Sequence, residues 1–334
     1  MLGRCIPRQR FSCQRLSHLF GLLCVSLSLM ILLPVCAQET PHIARIEISH
    51  GKPFVMITLN GRGPFRFVID TGTSAQAFIS PALASQLDLA QIGQIHISDP
   101  SGRGKRTTPL VLIPSIEVAG VQFTGVHAAL HDFDDSDGTC QGLLGFALFR
   151  SLLLTLDYPH RQLQLTSGSV TPDGERSVLP FRAPNGIPLI AIHIDNTSST
   201  QTSIDALLDS GGAGLSLPES IAARMAFSTD PVHFSDSFSV ATRFQVKAGR
   251  LSGAIRLGAY TFPQPFIEIN SAFPFANFGS VPMQNFAVTF DQHNALVRFD
   301  STHQTLHLSA TPTPMHPDNS PPVHPPVQAL IPVG

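Results

Sequence analysis

Two stretches of the chain carry the same pattern. The first runs Gly51-Lys-Pro-Phe-Val-Met-Ile-Thr-Leu-Asn60 and continues with Phe65-Arg-Phe-Val-Ile-Asp70-Thr71-Gly72-Thr73. The second runs Gly186-Ile-Pro-Leu-Ile-Ala-Ile-His-Ile-Asp195 and continues with Ile204-Asp-Ala-Leu-Leu-Asp209-Ser210-Gly211-Gly212. Each predicts a hairpin of apolar strands that ends in Asp-[Thr/Ser]-Gly. The distance from the first glycine to the aspartate is 19 residues in one copy and 23 in the other. The difference falls in the hairpin turn, where insertions are tolerated.

Three further elements recur in the same order in both copies: a helix start that contains proline, an apolar element that ends in glycine, and a strand that ends in aspartate. They are Ser80-Pro81 and Leu217-Pro218, then Leu143-Leu144-Gly145 and Asn277-Phe278-Gly279, then the strands that end at Asp157 and Asp291. The last two elements are 12 residues apart, glycine to aspartate, in both copies. The chain therefore reads as a duplicated β-rich unit, with an N-terminal lobe over 44–170 and a C-terminal lobe over 177–308.

The two Asp-[Thr/Ser]-Gly triplets stand at corresponding places in the repeat, and the sequence contains no others. Asp70 and Asp209 each follow an apolar strand, and burying a lone carboxylate is costly, so each needs a partner. The duplication offers the other aspartate about a pseudo-twofold axis. Glycines after the aspartates permit a tight loop, and the hydroxyls of Thr71 and Ser210 are expected to bond across to the opposite loop.

These motifs resemble the pepsin-like and retroviral-type (retropepsin-like) aspartic proteases over roughly residues 44–308, and they are most similar to bacterial members with both lobes in one chain. The resemblance implies an all-β, two-lobed acid-protease fold, made of two pseudo-twofold related β-barrel-like lobes with short helices. It implies an aspartic-type endopeptidase in which Asp70 and Asp209 are catalytic, with no cofactor and no metal. The residues expected to support the two loops are Thr71, Gly72, Thr73, Ser210, Gly211 and Gly212.

The sequence departs from the pepsin-like pattern in two places near the expected site. The candidate flap over 98–107, with Gly102 and Gly104 at its tip, contains no tyrosine. Gly212 stands where the first copy has Thr73, which removes a hydroxyl expected to bond the outer oxygen of the carboxylate. The alternative is therefore a catalytically weak or inactive protein of the same fold, with a peptide-binding or inhibitory role.

Composition agrees with this outline. Of 334 residues, 43% are hydrophobic and 13% charged, which is ample for a sizeable core. With 25 Gly, 28 Pro and mostly short apolar runs, many short strands are expected rather than long helices. The formal net charge is -2, without a basic stripe, so nucleic-acid binding is excluded. The expected partner is a peptide or protein substrate, and we expect a monomer.

The N-terminus reads as an export signal. Residues 1–18 are basic, residues 19–35 form an uncharged run, and small residues precede a cleavage site after Ala37. An uncleaved membrane anchor through residues 19–35 is the alternative, and lipidation at Cys36 is less favoured because of bulky Val35. We expect an exported protein, periplasmic or secreted, with an inner-membrane anchor as the alternative.

Three features are assigned structural roles. Residues 309–334 are rich in proline and are predicted to form a disordered tail. Asp157 and Asp291 precede turn-forming residues and are predicted to be turn residues. Cleavage after Ala37 would leave Cys140 as the sole thiol, and it is expected to be a small core or loop residue.

Overall fold

The structure is a computed structural model, and it describes residues 40–99, 102–133, 139–195, 201–238, 243–271, 273–308 and 331–333. The predicted leader over 1–37 and most of the predicted tail lie outside the described residues. The all-β class is confirmed, because strands dominate and the helices are short. No helix of the described part is long and apolar enough to cross a membrane.

The strands of the first half of the chain follow the predicted hairpins. They are β1 (His42–Ser49), β2 (Lys52–Leu59), β3 (Arg62–Asp70), β4 (Ala77–Ile79), β5 (Gln91–Ser98), β6 (Arg106–Val118), β7 (Val121–Leu130), β8 (Gly142–Gly145), β9 (Leu153–Asp157) and β10 (Gln162–Thr166).

The strands of the second half include the counterparts of β2 to β10. They are β11 (Val178–Pro180), β12 (Leu189–Asp195), β13 (Gln201–Asp209), β14 (Leu215–Pro218), β15 (Phe227–Phe238), β16 (Arg243–Leu251), β17 (Ala254–Leu257), β18 (Tyr260–Pro263), β19 (Phe266–Asn270), β20 (Ala276–Gly279), β21 (Ala287–Asp291), β22 (Leu296–Asp300) and β23 (Ile331–Val333).

The two lobes share one arrangement of strands. The first has the order β2-β3-β8-β4-β7-β6-β5, and the second has β12-β13-β20-β14-β19-β16-β15. In both, the strand that ends at the aspartate runs parallel to the strand that ends at the glycine, with Asp70 opposite Gly145 and Asp209 opposite Gly279. The duplication seen in the sequence is therefore a duplication of topology and of register.

The sheet of the first lobe continues through β1 into a set of strands that joins the lobes. Strands β9 and β10 of the first half and β21 and β22 of the second lie side by side in the order β11-β22-β21-β9-β10-β1. Strands β21 and β9 are antiparallel, with Thr155 opposite Thr289, and the hydroxyl oxygens of these two residues are 2.9 Å apart. The two threonines occupy matching places in the repeat, so the pseudo-twofold axis passes between them.

The helices are short, and two of them lie where the repeat predicts them. The helix α1 (Pro81–Gln86) begins at Ser80, whose hydroxyl accepts a hydrogen bond from the N–H of Leu83 at 3.2 Å. Its counterpart α2 (Glu219–Ala222) has Pro218 at the N-cap without a side-chain cap. The remaining α-helix of the described part, α3 (Ser280–Met283), follows β20 directly.

The aspartates at the ends of β9 and β21 form turns, as the sequence predicts. Asp157 accepts a hydrogen bond from the N–H of His160 at 3.2 Å. Asp291 accepts one from the N–H of Asn294 at 3.0 Å, and a second from the N–H of Val170 at 2.9 Å that ties the end of the first lobe to the second.

Within the predicted tail, Ile331–Val333 form a strand antiparallel to β5, with Ile331 opposite Ser98. At these residues the structure differs from the predicted disordered tail. The physical reason is that β5 is otherwise an edge strand, whose unpaired backbone groups can be satisfied by any extended segment that reaches it.

Candidate active site

The two aspartates are positioned by the ends of parallel strands. The strand β3 delivers Asp70 and β13 delivers Asp209 at the same end of the two lobes. Glycines opposite them leave room for the loop that follows each aspartate. A side chain at Gly145 would come within 2.1 Å of the carbonyl oxygen of Ala75, and one at Gly279 within 2.5 Å of the carbonyl oxygen of Gly214. The apolar-apolar-Gly element is therefore a packing requirement of the aspartate loop.

The predicted loop residues meet across the boundary between the lobes. The hydroxyl of Thr71 donates to the carbonyl oxygen of Leu208 at 2.7 Å, and the hydroxyl of Ser210 donates to the carbonyl oxygen of Ile69 at 2.7 Å. The N–H of each residue donates to the hydroxyl of the other at 3.0 Å. This symmetrical set of bonds fixes the strand ends that carry the two carboxylates.

Asp70 and Asp209 lie together at this junction, with 0% and 3% of their surface exposed. Both carboxylates accept hydrogen bonds from the backbone of the loop that follows them, Asp70 from the N–H of Gly72 at 2.9 Å and Asp209 from the N–H of Gly212 at 2.8 Å. The Cα of Gly211 lies against Asp70, since a Cβ there would come within 2.4 Å of the Asp70 Cγ. Any larger residue at this position would collide with the Asp70 carboxylate.

The electrostatics of the pair favour one shared proton. Burial and then the charge of Asp209 raise the pKa of Asp70 well above its usual value, and burial also raises the pKa of Asp209. The two side chains lie within hydrogen-bonding range, whereas the Asp70 Oδ2 accepts no bond from a donor in the described part of the chain. A proton between the carboxylates supplies that bond, and the pair then titrates as a unit.

Lys52 is a component of the site that sequence analysis overlooked. Its charge lowers the pKa of both Asp70 and Asp209, against the effect of burial, and its side chain is 8% exposed. It lies on β2, and the matching residue in the second copy is Ile187. The sequence does contain a signal for Lys52, because the other copy has an apolar residue at the same position.

The missing hydroxyl at Gly212 is explained by what surrounds that glycine. A Cβ at Gly212 would come within 2.5 Å of the Asp209 Oδ2 and within 2.6 Å of the Asn277 Nδ2. Asn277 occupies the position of Leu143 in the first lobe, because each lies opposite the equivalent residue of the aspartate strand. The second lobe thus replaces a threonine and a leucine by a glycine and an asparagine. Thr73, the residue that Gly212 replaces, is itself fully buried.

Tyr158, one of the two tyrosines, lies at the boundary between the lobes rather than in the flap candidate. Its hydroxyl accepts a hydrogen bond from Ser280 at 3.1 Å and faces the Met283 sulfur at 3.9 Å. Burial raises the pKa of Tyr158. The other tyrosine, Tyr260, donates to the carbonyl oxygen of Phe299 at 2.7 Å. Both are structural in these positions.

The flap candidate is the connection between β5 and β6. Gly102 and Gly104 both have positive φ, +76° and +62°. The N–H of Gly102 donates to the carbonyl oxygen of Asp99 at 2.9 Å, and the side chain of Asp99 accepts from the N–H of Arg103 at 2.9 Å. These bonds form the turn of a hairpin, as the sequence predicts. Residues 100 and 101 lie outside the described residues.

Cys140 is buried and packs among apolar residues near Phe78 and Leu143. Its thiol donates to the carbonyl oxygen of Gly142 at 3.4 Å. This placement fits a core residue and gives it no part in the carboxylate pair.

Comparison with known proteins agrees with the geometry. Residues 55–148 match the model of a protein family described as aspartyl protease. The matched segment contains Asp70 and the Leu143-Leu144-Gly145 element of the first lobe. A search of curated proteins found no match to the chain. The comparison supports an aspartic protease family, and the role of the second lobe rests on its correspondence with the first.

Proposed function

We propose that the protein is an aspartic endopeptidase that hydrolyses peptide bonds with water activated between Asp70 and Asp209. The observation that carries the proposal is the pair itself: two buried carboxylates with raised pKa values, within hydrogen-bonding range of each other. A structural pair of aspartates has no need of this arrangement, because burying carboxylates together costs stability.

The residues support an acid-base mechanism. The ionised carboxylate of the pair takes a proton from water, and the oxygen of that water attacks the carbonyl carbon of the peptide bond. The protonated carboxyl donates its proton to the carbonyl oxygen. The proton taken from water then passes to the leaving nitrogen as the C–N bond breaks. The hydrogen bonds of Thr71 and Ser210 hold the two carboxylates in place, which lowers the cost of orienting them at each turnover.

The test is cleavage of a mixed peptide library between pH 3 and pH 7. Asp70→Asn and Asp209→Asn are each expected to lower the rate by about 10²–10⁴-fold, the usual contribution of acid-base catalysis. Asp88→Asn is the matched control, because Asp88 is exposed and its positive φ of 51° suits asparagine. Undiminished cleavage in either variant of the pair would exclude this mechanism.

The replacement of a hydroxyl residue by Gly212 favours a second candidate, a non-catalytic peptide-binding or inhibitory protein with the same cleft. It predicts that a statine-type peptide binds no more tightly than an ordinary peptide of the same sequence. A transition-state mimic is expected to bind a competent pair at least about 10²-fold more tightly than substrate does.

We further propose that the protein is a monomer. On the basis of the N-terminal sequence alone, we also propose that it is exported and either periplasmic or secreted. N-terminal sequencing of the protein from its native host tests this, since cleavage after Ala37 gives a chain that begins at Gln38. An N-terminus that retains residues 19–35 would indicate the membrane anchor instead.

A further inference from the structure

The faces of the two lobes beside the aspartates have different chemistry. Side chains alternate along a strand, so Val68 lies on the same face as Asp70, and Leu207 on the same face as Asp209. From each of these positions a row of directly opposed residues crosses the neighbouring strands. Because the two rows occupy equivalent places, they can be compared residue by residue.

In the first lobe the row is apolar: Leu143 lies opposite Val68, Phe78 opposite Leu143, and Ala129 opposite Phe78. These residues are buried in one hydrophobic cluster. We call Leu143, Phe78 and Ala129 the apolar row.

In the second lobe the same three places hold Asn277, Ser216 and Glu268, which we call the polar row. Asn277 lies opposite Leu207, Ser216 opposite Asn277, and Glu268 opposite Ser216. The strand order is the same in both lobes, so the pairing register assigns each residue of one row to one residue of the other. Two polar residues and an acid therefore occupy the places that leucine, phenylalanine and alanine fill in the first lobe.

The Glu268 carboxylate lies against the loop that follows Asp209. A Cβ at Gly214 would come within 2.2 Å of its Oε1 and within 2.6 Å of its Oε2. Glu268 is half-buried, so part of the residue is accessible from solvent. Within the described part of the chain, no cation pairs with this carboxylate, and burial alone raises its pKa to about 7.

Asn277 has an unsatisfied group in the same row. Its Oδ1 is buried and receives no hydrogen bond from any donor among the described residues. Buried polar atoms without partners are uncommon in folded proteins and call for an explanation. An acceptor and an acid on one face, both lacking donors, together fit a ligand that supplies N–H groups and positive charge.

We propose that the polar row is a specificity subsite that selects substrates with a lysine or arginine side chain near the bond to be cleaved. The proposal rests on the proposed function, and it assigns Glu268 as the residue that pairs with the cation. Asn277 and Ser216 lie between Glu268 and the strand that ends at Asp209. The ammonium or guanidinium group compensates the desolvated carboxylate, which apolar substrate side chains cannot do.

The geometry limits where the basic residue sits. Neighbouring strands are about 4.8 Å apart, so Glu268 lies about 10 Å from Asn277 across two strand spacings. An extended peptide advances about 3.3 Å per residue. The basic side chain is therefore expected within about three residues of the cleaved bond, at one fixed position and on one side of it.

The experiment compares Glu268→Gln with the wild-type protein on a peptide library with every residue at each position. Wild type is expected to favour Lys and Arg at one position, and Glu268→Gln to lower that preference at least about tenfold, the order of loss when a buried charge loses its partner. Cleavage of peptides without a basic residue should change little. Glu219→Gln is the matched control, since Glu219 is an exposed acid of the same lobe paired with Lys247 at 3.5 Å.

A second readout separates this proposal from the proposed function. The same library is passed over immobilised Asp70→Asn protein, with and without Glu268→Gln, and the retained peptides are sequenced. Enrichment of basic peptides that depends on Glu268 supports the subsite even if no variant cleaves anything. Cleavage by wild type without a basic preference, or retention unaffected by Glu268→Gln, overturns the subsite and leaves the proposed function standing.

Discussion

Thr71 and Ser210 exchange a pair of hydrogen bonds across the boundary between the lobes, each backbone N–H donating to the hydroxyl of the other residue at 3.0 Å. Each hydroxyl also donates to a carbonyl oxygen of the opposite strand. Two side chains therefore satisfy four buried backbone groups, and the positions of the two aspartates depend on them.

Removing one of these hydroxyls leaves two buried backbone groups unsatisfied. Ser210→Ala deprives the Thr71 N–H and the Ile69 carbonyl of their partner, and we expect a loss of about 2–4 kcal/mol in the free energy of unfolding. Urea denaturation measures this. Ser228→Ala, which removes an exposed hydroxyl that donates to the Arg250 carbonyl oxygen at 3.3 Å, should cost less than about 0.5 kcal/mol. Equal losses in the two variants would contradict the role of the junction.

The pH dependence of stability reports on the buried carboxylates. Because the folded-state pKa of Asp70 is raised, the folded protein holds a proton that the unfolded chain releases, and stability falls as pH rises above the unfolded value toward the folded one. Asp70→Asn removes the contribution of Asp70 to this dependence. We expect the variant to gain stability relative to wild type with rising pH, by up to about 1.4 kcal/mol per pH unit. Urea unfolding at pH 4, 5.5 and 7 measures it, and a constant difference between the two proteins would contradict the shift.

Lys52 should set the pH range of activity. Its charge lowers the pKa of both carboxylates, so Lys52→Met is expected to raise both and to move the two limbs of the pH–rate profile to higher pH. The measurement is kcat/KM against pH. Lys247→Met, which removes an exposed lysine of the second lobe, should leave the profile in place. A shift to lower pH in Lys52→Met would show that the sign is wrong.

Gly212 and Asn277 should behave as a coupled pair. Gly212→Thr restores the residue type of the first lobe, yet it places a Cβ within 2.6 Å of the Asn277 Nδ2, so we expect lower activity and stability. Adding Asn277→Leu reproduces the combination of Thr73 with Leu143 and relieves part of the crowding. A double-mutant cycle on stability should give a coupling of about 0.5–3 kcal/mol. Additive effects would mean that the two residues act independently.

The sequence predicts the parts of the fold that depend on residues close together in the chain. The hairpins that lead to Asp70 and Asp209 follow from strand periodicity and turn residues, and the helix at Ser80-Pro81 follows from its capping signal. The correspondence of Leu143 with Asn277 also follows from spacing. These elements could be aligned because both copies retain the same local signals.

The remainder depends on contacts between distant residues. The pairing of β9 with β21 joins strands from different lobes, and nothing local to either strand specifies it. The polar row could not be found from the sequence either, because Ser216 and Glu268 become neighbours only through the parallel pairing of β14 with β19. Lys52 is recognisable in the sequence as a lysine at the position that Ile187 occupies in the second copy. Its effect on the pKa values of the carboxylates, however, depends on tertiary proximity.

The sheet that joins the lobes also has a consequence for how the protein is made. When residues 1–170 have emerged from the ribosome, β9 and β10 are present but β21 has not been synthesised. One edge of β9 therefore remains unpaired until residue 291 has emerged. Strands held open in this way are sites of wrong pairing between nascent chains. All residues of the first lobe are thus synthesised well before all of its strands can be paired. The sheet that joins the lobes can form only after nearly all of the second lobe has been synthesised.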